Sequence, residues 1–172
     1  NSFENIIIIK LRSLEDKYPE LLAAKKNRNL IEYYFTLSPF LPKFIYEKYS
    51  ISNLSYLDSD FYFFKNPQSF IIKNSYQNSV ILIKQNSNPK YGFYNMGWIS
   101  YNFEYGETYK ILEKWAAQCI EWCSDIPYNN KYADQKYLDK WIIDLKNIKI
   151  IGPAYSCLSP WDGNNIIQNN IN

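Results

Sequence analysis

The chain has 172 residues, 47% of them hydrophobic, and a formal net charge of +2, enough for one core and short for two domains. Its lysines are scattered among Asp and Glu, which argues against nucleic acid as a partner. Its longest aliphatic run, Ile6 to Ile9, falls far short of the roughly 20 apolar residues a membrane span needs.

In chain order, Asn5 to Lys10 is nearly all isoleucine and predicts a strand buried on both faces. The chain opens on Asn rather than Met, so the numbering is expected to begin inside a longer gene product. Ser13 with Asp16 three residues on resembles a capping box, and Pro19 can open the next turn, so a helix is expected after that strand. Ser38-Pro39 is a second start signal, for a helix that carries Phe40, Phe44 and Ile45 and stops before Ser50. Leu54 to Leu57 reads as a strand leading into Asp58-Ser59-Asp60, followed by the aromatic run Phe61 to Phe64.

Ser79 to Lys84 and Tyr91 to Tyr101 read as further strands, joined by a polar connection over Gln85 to Lys90. Glu107 to Cys123 is the strongest helix, with Ile111, Leu112, Trp115, Cys119, Trp122 and Cys123 on one stripe. With no histidine and three thiols a closed zinc site would need a carboxylate, so Cys119, Cys123 and the distant Cys157 read as reduced core cysteines of a cytoplasmic protein. A shorter helix is expected over Tyr132 to Trp141 and a late strand over Ile148 to Ile151. Together these give one domain over residues 1–163 and a fraying Asn-rich tail over 164–172. The pattern is that of strands covered by helices, an α/β fold.

Two carboxylates one residue apart at a strand's exposed end can share a hard divalent cation that bridges to a diphosphate. Asp58 and Asp60 are therefore candidate ligands, although the same tripeptide also makes an ordinary polar turn.

Five segments carry a resemblance: Glu32 to Thr36, Tyr56-Leu57-Asp58-Ser59-Asp60, Tyr94-Asn95-Met96-Gly97-Trp98, Ala133-Asp134-Gln135-Lys136-Tyr137-Leu138, and Leu158-Ser159-Pro160-Trp161. In this order they resemble the glycosyltransferase A fold. More narrowly, they are similar to bacterial nucleotide-diphospho-sugar transferases related to the glycogenin-type retaining family. The similarity runs from about Ile6 to Trp161. It implies a mixed, mainly parallel, Rossmann-like central sheet flanked by helices and lacking its first βα unit. It also implies transfer of a sugar from a nucleotide-diphosphate donor to a glycan or other acceptor, as in polysaccharide biosynthesis, with retention. The expected location is cytoplasmic or peripheral to a membrane.

By that resemblance Asp60 and Asp58 would hold Mn2+ or Mg2+, Asp58 also reaching toward the donor's ribose or acting through water. Asn95 and Gly97 would approach the donor sugar or acceptor, a strand bulge being the competing explanation. Asp134 and Gln135 would border the sugar as catalytic groups, electrostatic or transiently nucleophilic, while Asp134 could equally cap the helix it precedes. Trp161 would wall the donor pocket or simply pack the last strand.

Two departures stand beside these matches. Relatives carry a histidine metal ligand shortly before the Pro-Trp pair, where this chain has Gly152 to Cys157. They also carry a βα unit ahead of Ile6, without which a sheet edge would be open. A catalytically inactive sugar- or partner-binding protein is therefore the alternative. A sugar-nucleotide pyrophosphorylase would want a Gly-rich basic loop that five dispersed glycines do not supply. A purely structural module is disfavoured because most of the aromatic rings fall at core spacing.

Overall fold

The computed structural model describes residues 6–63, 66–75, 77–85 and 88–152. Four helices come first: α1 (Leu11–Lys17), α2 (Glu20–Lys26), α3 (Leu30–Leu37) and α4 (Phe40–Tyr49). They are followed by β1 (Asn53–Leu57), α5 (Gln68–Ser75), β2 (Val80–Lys84), β3 (Tyr94–Asn102), α6 (Gly106–Glu121), α7 (Trp141–Asp144) and β4 (Ile148–Ile151). Short 3-10 turns occupy Pro89–Tyr91 and Gln135–Lys140.

The strands form one four-stranded sheet in the order β1-β3-β2-β4. β3 runs antiparallel to both β1 and β2, and β2 runs parallel to β4. The fold is mixed α/β with flanking helices, but the sheet is not mainly parallel as expected. The reason lies in the connections. The nine residues 85–93 between β2 and β3 are too few for the crossover that parallel neighbours require. α6 and the segment behind it do supply a crossover, and β4 returns parallel to β2.

The isoleucine run is the second correction. Ile6 to Lys10 forms no strand, and Ile6, Ile7 and Ile8 are 61%, 66% and 84% exposed. Isoleucine supplies strand propensity, but a strand needs a neighbouring ladder, and none of the four strands pairs with this segment. The first helices also start differently. α1 has Lys10 as its cap without a side-chain bond, and the capping box is at Asn29 and Glu32 instead. There Asn29 Oδ1 accepts from Glu32 N at 2.9 Å, and Glu32 Oε2 accepts from Asn29 N at 3.1 Å. α3, which this box opens, and α5 were not expected, whereas α4, α6, β1, β2 and β4 lie close to their predicted spans.

Alternation along β2 builds two cores. Val80 and Leu82 point to the face covered by α6, joining Ile99, Tyr101, Leu112, Trp115, Leu138 and Trp141. Ile81 and Ile83 point to the other face, with Trp98, Ile151 and the partly buried Phe61, Phe63 and Phe70. A third cluster joins α1 to α4 through Leu14, Leu21, Tyr33, Phe40 and Phe44, with Ala116 of α6. Burying one such side chain is worth about 1.5–3 kcal/mol, so these contacts, rather than propensity, hold the helices on the sheet. Cys119 and Cys123 are free and buried, as expected of core thiols, and burial pushes the Cys119 thiol well up. Among the described residues no helix is long and apolar enough to cross a membrane. Trp161, Cys157 and the 164–172 tail lie outside the described residues.

Candidate functional site

A cleft of about 360 Å³ opens where the end of β1, a bulge in β3 and the turn before Gln135 meet. Asp58, Asn95, Gly97, Asp134 and Gln135 all line it, so five of the residues singled out from sequence converge across 77 positions of chain. Asp60 sits two residues beyond Asp58 in the exposed turn and is not among the lining residues.

Each side chain is placed by a local cause. Tyr56 and Asp58 lie two apart on or just beyond β1 and so share a face. Tyr56 Oη donates to Asp58 Oδ1 at 2.9 Å, and Asp58 N donates to Gly97 O at 2.9 Å. In β3 the register breaks: Ile99 pairs with Leu82 while Asn95 pairs with Ile83, leaving Met96, Gly97 and Trp98 as extra residues. The ladder of β3 to β2 is thus irregular at these residues, while the ladder to β1 stays in register and sets Asp58 opposite Gly97. Asn95 Oδ1 accepts from Gly97 N at 2.6 Å. A Cβ at Gly97 would collide with the Phe61 ring and lie 2.9 Å from Asn95 Oδ1 and 3.2 Å from Asp58 Oδ2. Only glycine lets the aspartate and the asparagine approach each other here.

Asp134 is reached through strain. Ala133 has φ 45°, a left-handed conformation costing a β-carbon residue roughly 1–2 kcal/mol. It is held by Ala133 N donating to Ser124 O at 2.8 Å and by Trp115 Nε1 donating to Asp134 O at 2.9 Å. Asp134 precedes the Gln135–Lys140 turn, but its side chain makes no capping hydrogen bond. The capping role weighed from sequence is absent, and the carboxyl is instead buried, at 3% exposure, against the cleft. Burial pushes its pKa up to about 7, with the charge of Asp58 adding to the rise. The Ser38 hydroxyl and the N–H groups of residues 134 and 135 oppose it. A buried acid facing a second acid across a cleft is a mark of functional sites.

Gln135 Nε2 donates to Tyr91 O at 2.9 Å, so its donor end anchors the Pro89–Tyr91 turn. Lys136 and Asp139 complete that anchoring. Lys136 Nζ donates to Pro89 O at 2.6 Å and to Asp139 Oδ2 at 2.8 Å, and Phe93 N donates to Asp139 Oδ1 at 2.8 Å. Sequence reasoning missed Ser38, Tyr34 and Tyr132, which also line the cleft. It also missed Tyr56, whose two-residue spacing from Asp58 was the available signal. Ser38 lies 96 positions from Asp134, and nothing local in the sequence marks that approach.

Among the described residues no group of three or more His, Cys, Asp and Glu is placed to hold a metal by itself. Mg2+ needs less than that, because one or two carboxylates suffice when substrate phosphates and water complete the shell. Asp58, which is exposed and lines the cleft, and Asp60, two residues on, could supply such carboxylates.

Two Bacillus subtilis (strain 168) proteins are similar to this chain. Uncharacterized protein YfnD is 27% identical over 170 residues, covering 93% of this chain and 53% of that protein. Uncharacterized protein YfnF is 30% identical over 146 residues, covering 77% and 47% respectively. The chain thus spans about half the length of the curated relatives it matches. No family model matches it, and no solved structure does.

Proposed function

We propose that this chain forms the donor site of a metal-dependent glycosyltransferase of the glycosyltransferase A type, moving a sugar from a nucleotide diphosphate to a glycan or other acceptor with retention. The observation that supports this most is the meeting of Asp58, Asn95, Gly97, Asp134 and Gln135 in one cleft. These residues come from three separate motifs, and nothing in their spacing forces them together.

On this reading Asp58, with Asp60, holds Mn2+ or Mg2+ against the diphosphate. The cation would neutralise charge on the departing nucleotide diphosphate. Gly97 leaves room for the donor beside Asp58, and Asn95 supplies an amide at the sugar. Asp134, buried where water is scarce, offers negative charge to a developing oxocarbenium centre once it is ionised. Because its pKa is about 7, that form grows as pH rises through neutrality.

Calorimetric binding of uridine, guanosine, adenosine and cytidine diphosphates, with and without Mn2+, tests the reading on the wild type and on Asp58→Asn and Asp60→Ala. At least one diphosphate should bind more tightly with Mn2+, and Asp58→Asn should abolish that gain. Equal affinity in every arm would remove the site. The chain's lack of histidine supports a second reading, an inactive sugar-binding relative, which predicts diphosphate binding without donor hydrolysis or transfer.

A further inference from the structure

The turn between β2 and β3 holds two glutamine side chains by the same means. Gln85, directly after β2, donates from Nε2 to Gly92 O at 3.1 Å, and Gln135 donates from Nε2 to Tyr91 O at 2.9 Å. A backbone carbonyl can only accept, so the nitrogen of each amide is the end that faces the turn. Each Oε1, an acceptor only, takes no hydrogen bond among the described residues. Both glutamines line the cleft and stay partly exposed. We infer that Gln85 and Gln135 are a matched pair of hydroxyl acceptors for a sugar ring in this cleft, Gln85 being a specificity-determining residue that no sequence motif marks.

The turn is built to present those carbonyls. Gly92 has φ 116° and ψ 161°, a backbone conformation that side chains rarely adopt, and a Cβ there would lie 3.4 Å from both Cγ and Nε2 of Gln135. Gln85 N donates to Phe93 O at 3.0 Å and Phe93 N donates to Asp139 Oδ1 at 2.8 Å, which ties the base of the turn. Lys136 Nζ, donating to Pro89 O at 2.6 Å, ties its start. The carbonyls of Tyr91 and Gly92 are consecutive, so the two amides are pinned to neighbouring points of one frame. Polar atoms fixed before the ligand arrives cost little to order on binding.

The chemistry of the pair selects its ligand. Phosphate and carboxylate oxygens are themselves acceptors, so two amide oxygens turn them away, whereas neighbouring hydroxyls of a sugar each have a proton to give. Asn95, in the same cleft, is the reverse case: its Oδ1 accepts from Gly97 N, so its N–H groups are what it offers to a sugar oxygen. A sugar ring also has an apolar face, and the same turn supplies a partner for it. The Tyr91 ring packs edge-on against Tyr132 with centroids 4.8 Å apart, and Tyr132 and Tyr34 line the cleft together with the glutamines. Tyr91 thus holds Gln135 through its carbonyl and an aromatic wall through its ring. A few placed polar groups against an aromatic lining fix the orientation of a small ligand.

This inference rests on the glycosyltransferase reading and deepens it by naming what the cleft grips, and its test separates the two. In 1H-15N NMR of the full chain, methyl α-glucoside, methyl α-galactoside and methyl α-mannoside are titrated with and without uridine diphosphate and Mn2+. Uridine-diphosphate glucose, uridine-diphosphate galactose and guanosine-diphosphate mannose are titrated against their bare diphosphates. At least one sugar should bind and shift the side-chain amide signals of Gln85 and Gln135. Shifts that need the sugar attached to the nucleotide assign the pair to the donor, and shifts with the free glycoside assign it to the acceptor. Among monodeoxy analogues of the sugar that binds, two lacking neighbouring hydroxyls should bind wild type about five-fold more weakly, the worth of one neutral hydrogen bond. Gln85→Met keeps the length of the side chain without its acceptor and should erase the penalty of one of these analogues, and Gln135→Met that of the other. Glutamines that only brace the turn would leave every penalty unchanged. The shifts and the deoxy pattern are read on wild type, so they decide the matter if a variant does not fold. Amide signals moved by no sugar, or penalties equal in wild type and both variants, overturn the pair. A diphosphate bound with Mn2+ alongside either result leaves the glycosyltransferase site standing, whereas a glycoside bound through the pair with no diphosphate bound refutes that reading and supports the pair.

Discussion

Glu47 on α4 and Asp134 at the cleft are both carboxylates drawn out of water, and they end in opposite states. Burial pushes Glu47 up, but hydrogen bonds from Lys17, Tyr109 and Tyr18 and the charge of Lys43 outweigh it, so its pKa falls. Tyr109 Oη donates to Glu47 Oε1 at 2.8 Å and Tyr18 Oη to Oε2 at 3.0 Å, tying α1, α4 and α6 together. Burial raises Asp134 to about 7, and the charge of another acid, Asp58, adds to the rise. Compensated charge marks a joint of the scaffold, while uncompensated charge beside a cleft marks a place where stability has been given up for chemistry.

The largest effect that could break this contrast is that of Asp134→Asn. Holding an acid at pKa about 7 means that the folded state binds a proton the unfolded chain releases near pH 4, so wild-type stability falls as pH rises from about 4 to about 7 and then levels off. Asp134→Asn should therefore unfold at higher denaturant concentration than wild type at pH 8, by roughly 2–4 kcal/mol, and show little difference at pH 4.5. A variant less stable than wild type at pH 8 would return Asp134 to the scaffold.

Gly97→Ala is next. Its methyl group would meet Phe61, Asn95 and Asp58 at once, so a loss of about 2 kcal/mol is expected, together with weaker ligand binding. Thermal unfolding and diphosphate titration check the two halves separately.

Glu47→Gln should lose about 1.5 kcal/mol at pH 7, because its cationic partners are left less well matched. The sign with pH is opposite to that of Asp134: a lowered carboxylate contributes above its unfolded pKa, near 4.5, and the difference from wild type should vanish as pH falls through the lower folded value. Urea melts at pH 7 and pH 3.5 would show it. The smallest effect is that of Ala133→Gly, where release of the left-handed strain slightly exceeds the added chain entropy, for a gain of about 0.5 kcal/mol. A loss instead would mean that the turn is not strained.

The helix α6 was legible because Ile111, Leu112, Trp115 and Cys119 recur at helical spacing, and β2 because Val80 to Ile83 is an unbroken apolar run buried on both faces. The cleft was legible only as separate motifs. Asn95 and Gly97 could be named from sequence, but that they stand beside Asp58 depends on β3 pairing with β1 in the register that sets Leu57 against Trp98. The 3-10 turn at Gln135–Lys140 was expected as part of a helix, since Tyr137, Leu138 and Trp141 have a helix-like spacing that a 3-10 turn followed by α7 also satisfies.

The sequence by itself determined which segments are apolar on one face or on two, where most helices end, and which acids stand at strand and turn ends, because these follow from neighbours a few residues apart. Strand direction, the unpaired state of Ile6 to Ile9, the company kept by Asp134 and the meeting of Ser38 and Tyr56 in one cleft were decided by tertiary structure. They depend on connection lengths and on contacts between residues tens of positions apart, and local periodicity carries no record of either.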